Sequence, residues 1–167
     1  TPLLNGKVLL TGGRDSESIL ATAEAYDPAS GSFTATAGPM TVERFRHTAT
    51  LLPDGKVLIA GGQNSTSVNS TAETYDPATG TFAATAGLMT SPRDSHTATL
   101  LANGKVLIAG GTDGSQVVNT AELYDPTTGS FALTGVMTAA RAFHTATRLR
   151  NGKVLIAGGT DGSSSVS

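Results

Sequence analysis

The sequence predicts an all-β protein built of repeated four-stranded antiparallel units. Three observations carry that prediction. The run Lys56-Val57-Leu58-Ile59-Ala60-Gly61-Gly62 recurs at 7–13, 105–111 and 153–159, at intervals of 49, 49 and 48 residues. An Asn-Gly or Asp-Gly pair precedes every copy, a hairpin signal when it separates two apolar runs. No segment shows the 3.6-residue apolar period of an amphipathic helix. Short strands repeated at this interval are the pattern of a β-propeller, each unit being one blade.

The elements follow in order. Thr1-Pro2-Leu3-Leu4 matches Thr50-Leu51-Leu52-Pro53 in register and reads as the tail of a strand A. Asn5-Gly6 recurs as Asp54-Gly55, Asn103-Gly104 and Asn151-Gly152, with both turn residues expected at positive φ. Residues 47–52 (strand A) should therefore pair with 56–60 (strand B). Strand B is apolar on successive residues, so Val57, Leu58 and Ile59 face both sides of the sheet and both sides need cover. Each such side chain is worth roughly 1.5–3 kcal/mol when buried. One blade cannot cover both of its own faces, so neighbouring copies must.

The pairs Gly12-Gly13, Gly61-Gly62, Gly110-Gly111 and Gly158-Gly159 end strand B, permitting positive φ and close backbone approach. No Gly-Lys-Ser/Thr or helix follows, which argues against a phosphate cradle. A variable loop comes next, at 14–20, 63–70, 112–119 and from Thr160 onward. Strand C is 71–75, with copies at 22–26 and 120–124, and carries Tyr26, Tyr75 and Tyr124. An Asp-Pro turn leads to strand D, marked by Phe33, Phe82 and Phe131. A Met-Thr step and Arg-x-x-His then open the next strand A. The units are 1–46, 47–95, 96–143 and an incomplete 144–167, forming one propeller segment of about three and a half blades.

Composition limits the function classes. Net charge is −2 with no basic run, which disfavours a nucleic-acid partner. The absence of Cys excludes disulfides, zinc-thiolate sites and thiol catalysis. No apolar run is long enough to span a membrane. Charged residues make up only 14%, with Thr, Ser, Ala and Gly in their place, a balance that suggests a secreted or cell-surface bacterial protein.

The twin Gly after an apolar strand, the hairpin before it, the Tyr of the third strand and the aromatic of the fourth together resemble the Kelch repeat. The resemblance covers essentially the whole chain. It implies a β-propeller with strand A nearest the axis and D outermost. Phe33, Phe82 and Phe131 stand where the family usually has Trp. Propellers close with four to eight blades. The order here, B-C-D, A-B-C-D twice, then A-B, is expected to be a segment of a longer propeller. The alternative is a ring closed by two chains with one strand displaced. Open blade faces imply self-association.

The repeated polar residues read as structural. His47, His96 and His144 follow Arg44, Arg93 and Arg141 by three residues. A ring of His could hold a metal or sense pH, but a blade-to-blade hydrogen bond also requires the same residue in every unit. Glu24, Glu73 and Glu122 are expected to pair with the repeated Arg across or between blades. A catalytic carboxylate pair needs two different environments, and a repeat supplies one. Asp113 and Asp161 gather too few acidic neighbours for calcium.

Positions that break the repeat mark the candidate binding surface. They fall in the B–C loops (Arg14, Asp15, Glu17, Gln63, Asn64, Asp113, Gln116) and in the D–A linkers (Phe45, Arg46, Asp94, Phe143). A uniform frame with free loops is how repeat proteins build binding surfaces. The expected function is a non-catalytic scaffold, without metal or cofactor, that binds a protein or surface glycan. One rival is the propeller part of a secreted carbohydrate-active enzyme, such as one of the galactose-oxidase type. That family's copper site uses a Tyr crosslinked to Cys. With no Cys, and with every Tyr at the repeat's structural position, such ligands would lie outside this segment. The other rival is a subunit of a repeat-based extracellular assembly.

Overall fold

A computed structural model describes residues 1–163, which contain strands and no helix. Blade I comprises β1 (Val8–Thr11), β2 (Ala23–Asp27) and β3 (Ser32–Ala35). Blade II comprises β4 (Thr48–Leu51), β5 (Val57–Ala60), β6 (Ala72–Asp76) and β7 (Thr81–Ala84). Blade III repeats this with β8 (Thr97–Leu100), β9 (Val106–Ala109), β10 (Ala121–Asp125) and β11 (Ser130–Leu133). Blade IV holds β12 (Thr145–Arg148) and β13 (Val154–Ala157). Each sheet is an antiparallel meander in chain order, and the four sheets do not close into a ring. The innermost strands β4, β8 and β12 make the closest approach between blades, as in a propeller that fans out from its axis. Residues 164–167 of the last unit lie outside the described residues.

Strand B alternates between two neighbours. Val57 and Ile59 pack with Leu9 of blade I, while Leu58 packs with Val106 and Ile108 of blade III. All three β5 side chains are fully buried. The dependence on neighbours shows at the ends of the array. Leu10 is 45% exposed and Leu155 is 54% exposed, although both sit in the same run. The Tyr and Phe of strands C and D stack in each complete pair, with ring centroids 4.8–4.9 Å apart.

The A–B hairpin differs from the expected two-residue turn. Gly55 lies at φ 87° while Asp54 does not enter the positive-φ region, and the same holds at Gly6, Gly104 and Gly152. Gly55 N–H donates to the Leu52 carbonyl and Leu52 N–H to the Lys56 carbonyl. These bonds close a three-residue loop, a turn followed by one left-handed Gly. Asp54 Oδ1 accepts the Lys56 N–H at 3.1 Å, so the acidic side chain stabilises the turn from a negative φ. At the N-terminus, Leu3 N–H donates to the Lys7 carbonyl and Pro2 bridges Val8. Residues 1–4 thus trace the end of a strand A.

Candidate functional site

The repeated polar residues join each D–A linker to the blade that follows it. Arg44 donates to Glu73 Oε1 at 2.8 Å and to the Gly61 carbonyl at 2.6 Å. Arg93 repeats this with Glu122 at 2.7 Å and the Gly110 carbonyl at 2.8 Å. Both ion pairs are fully buried. Glu73 and Glu122 also accept linker N–H groups from Thr41 and Thr90 at 2.7 Å. Arg141 reaches the Gly158 carbonyl at 2.7 Å and meets no carboxylate among the described residues. Glu24 is exposed and likewise without an Arg.

His47, His96 and His144 bond from blade to blade. Their Nε2 atoms lie 2.9 Å from the hydroxyls of Thr11, Thr48 and Thr97. Burial, then the nearby Arg44 charge, pushes His47 down to about 4 against a weak opposing pull from the Arg44 carbonyl. His96 is pushed down to about 3 by burial, then by Arg93, His47 and His144. His144 is lowered by burial and by Arg141. Among the described residues, no three His, Asp or Glu side chains converge as a metal site would require.

The twin Gly residues explain how linker and blade fit so closely. Gly61 lies at φ 64° with the Arg93 carbonyl and the His96 ring where a Cβ would stand. Any side chain there would collide with backbone.

The loop face is built on this frame. The first three B–C loops are small hairpins, with bridges Arg14 to Ile19, Gln63 to Val68 and Thr112 to Val117. Asp15 Oδ1 accepts the N–H groups of Glu17 and Ser18 at 2.8 and 2.7 Å, and Asn64 and Asp113 do the same in their loops. The Glu17 and Ser18 N–H groups hold the Asp15 carboxyl below the usual carboxylate range, and at Asp113 the Ser115 hydroxyl does so first, then the Gln116 and Ser115 N–H groups. Linker and loop are then stitched together. Phe45 and Gln63 exchange backbone hydrogen bonds at 3.0 and 2.9 Å.

Six of the variable residues meet in one cleft of about 360 Å³ between the first two B–C loops: Arg14, Asp15, Glu17, Phe45, Gln63 and Asn64. Arg14 and Arg46 stand over the Phe45 ring, 5.8 and 5.1 Å from its centroid. Arg46 also stands 5.5 Å from the Phe143 centroid. Blades II and IV are not adjacent, so this contact lies near the propeller axis.

Other candidates fall elsewhere. Asp94 is buried, 2% exposed, holding the Ser95 hydroxyl at 2.7 Å beneath the third loop; it is not available to a ligand. Asp113 and Gln116 belong to that third loop, outside the cleft. Sequence reasoning passed over Ser16, Ile19 and Ser65, which line the cleft. Their only signal was membership of the same loops.

A larger groove, about 490 Å³, lies on the opposite face between the hairpin turns. It recurs one unit earlier with equivalent residues. Its Lys105 is already paired to Asp125 at 3.0 Å. It is a product of the repeat, whereas the loop-face cleft is made from residues that depart from it.

The family model of the Kelch motif matches residues 2–40, 44–88 and 95–133. No curated protein matches the chain. The three matched segments cover blades I to III, about three quarters of the chain, and the chain belongs to the Kelch-repeat family, its sheets forming part of a β-propeller scaffold.

Proposed function

We propose that this chain is a non-catalytic binding scaffold that captures a protein or a glycan on the face formed by its B–C loops and D–A linkers. The observation that carries the reading is the convergence of repeat-breaking residues. Arg14, Phe45, Gln63 and Asn64 share one cleft on a frame whose other residues recur from blade to blade. Low charge and the Ser/Thr-rich composition favour an extracellular or cell-surface setting.

The test is to probe peptide and glycan arrays with the protein, with a loop-face variant (Arg14→Gln, Phe45→Ala, Gln63→Ala) and with Lys56→Ala on the opposite face. Captured ligands should be lost by the loop-face variant and kept by Lys56→Ala. Capture that survives the triple substitution would sink the proposal. The exposed Leu10 and Leu155 support a second reading, association of the end blades with another Kelch sheet. Mass measurement across a concentration series tests it, and a constant monomer mass would refute it.

A further inference from the structure

We propose that the loop face binds an acidic saccharide, with a uronate carboxylate at Arg46 and neutral hydroxyls in the cleft beside it. The inference rests on the binding-scaffold reading and names its ligand chemistry. Three properties of the site lead to it.

The first is the state of the arginines. Neither Arg14 nor Arg46 pairs with a carboxylate among the described residues, in contrast to the buried Arg44 and Arg93. Both guanidiniums lie over the Phe45 ring at cation–π distance, and Arg46 over Phe143 as well. Neither guanidinium donates a side-chain hydrogen bond among the described residues, so its N–H groups are free. Those groups match a planar carboxylate with two parallel hydrogen bonds.

The second is the cleft lining. Among the described residues, the Glu17 carboxylate and the Gln63 amide make no side-chain hydrogen bond, whereas Asp15 and Asn64 are spent on turning their loops. The free groups include acceptors as well as donors within one cleft of about 360 Å³. Hydroxyls satisfy both kinds, since each donates once and accepts twice. A run of acidic side chains would satisfy the arginines but would be repelled by Glu17.

The third is the apolar component. Phe143 is 61% exposed, which offers an aromatic surface beside Arg46 for the C–H face of a sugar ring. Carboxylate, hydroxyls and an apolar ring face on one ligand describe an acidic sugar next to a neutral one.

Titration calorimetry with a hyaluronan tetrasaccharide, which alternates glucuronate with a neutral sugar, tests the inference. The controls are its carboxyl methyl ester and a hexaglutamate peptide. The tetrasaccharide should bind, and the ester should bind at least tenfold more weakly. Arg46→Gln and Phe143→Ala should each lose tenfold or more, and Lys56→Ala should lose nothing. Arg14→Gln is a second arginine variant at an ordinary backbone position, and circular dichroism establishes that each variant is folded. Three results would each overturn the inference: no binding of the tetrasaccharide at millimolar concentration, equal binding of the ester, or tighter binding of hexaglutamate. Array ligands that depend on the loop face, without tetrasaccharide binding, would remove this inference alone. Array capture indifferent to the loop face would remove the scaffold reading as well.

Discussion

Lowering the pH from 7.5 to 5.0 should destabilise the fold by about 4 kcal/mol through two buried imidazoles. His47 is held at about 4 and His96 at about 3, against 6.5 for an unperturbed ring. At pH 5 the unfolded rings are mostly protonated while the folded rings stay neutral. Each pH unit below 6.5 then removes about 1.36 kcal/mol per ring, or about 2 kcal/mol each at pH 5. Both folded values lie below the unfolded one. The stabilisation is therefore complete above pH 6.5 and falls as pH falls, levelling off near pH 4 for His47 and pH 3 for His96. His144 adds in the same direction. The carboxyls lowered by hydrogen bonds, such as Asp15, Asp113 and Glu43, keep their contribution above their ordinary values of 3.8–4.5 and lose it only as pH falls below them. Above pH 5 the imidazoles are joined by the N-terminal amine, lowered from 8.0 by burial and acting in the same direction, so His96→Gln is needed to assign the imidazole share. Urea unfolding at the two pH values measures the difference, and His96→Gln should roughly halve it. Stability equal to within 1 kcal/mol at both pH values, or a His96 ring proton titrating near 6.5 in the folded protein, would refute the reasoning.

Other substitutions test the frame by urea unfolding. Glu73→Ala strands the buried Arg44 charge and should destabilise by about 3–5 kcal/mol, whereas Glu24→Ala, at the same repeat position but exposed, should stay within about 0.5 kcal/mol. Gly158→Ala has open space around its Cβ and should lose only about 1–2 kcal/mol for a left-handed Ala. Gly110→Ala, at a similar φ, would strike the Arg141 carbonyl, the His144 ring and Met137, and should lose several times as much. Thr11→Ala removes the hydroxyl on His47 Nε2, and the ring's Nδ1 is buried, feeling the Arg44 carbonyl but making no hydrogen bond within range among the described residues. The loss should be about 1–3 kcal/mol, and a neutral result would dismiss that hydrogen bond.

The blades were legible because strand B states its own requirement. Val57-Leu58-Ile59 is apolar on both faces, and only neighbouring copies can cover both. The hairpin geometry was misread because Asp54-Gly55 favours two positive φ angles by local statistics. Here Asp54 instead bonds the Lys56 N–H from a negative φ, and one left-handed Gly suffices. The loop residues were legible as a set because they break a repeat that is otherwise kept. Which of them meet was not. The 49-residue spacing puts the first two B–C loops on adjacent blades, but the Arg46–Phe143 contact joins blades II and IV. Asp94 was grouped with the variable linker residues, but its register position pairs with the following B–C loop in each blade, as Phe45 does with Gln63 and Ala142 with Thr160, and this takes Asp94 under the third loop.

The positions just before the repeated His show how frame and face divide the work. Arg46, Ser95 and Phe143 all lie in the left-handed region, at φ 56°, 52° and 56°. A side chain there costs on the order of 1 kcal/mol relative to Gly. The backbone is held in that state from blade to blade, since Ser95 N–H donates to the Arg46 carbonyl and Phe143 N–H to the Ser95 carbonyl. Glycine would relieve the strain and keep both hydrogen bonds, as it does throughout the twin-Gly turns of this chain. It is absent from all three positions, while the residues present differ in charge, size and polarity. Identical backbone with dissimilar side chains means that the frame needs the conformation and not the particular group. The small Ser95 of blade III stands in the ring between Arg46 and Phe143, leaving room for the cation to reach the aromatic ring two blades away. The strain is thus maintained at three positions whose side chains are free to vary near the axis, where a ligand could touch several blades at once.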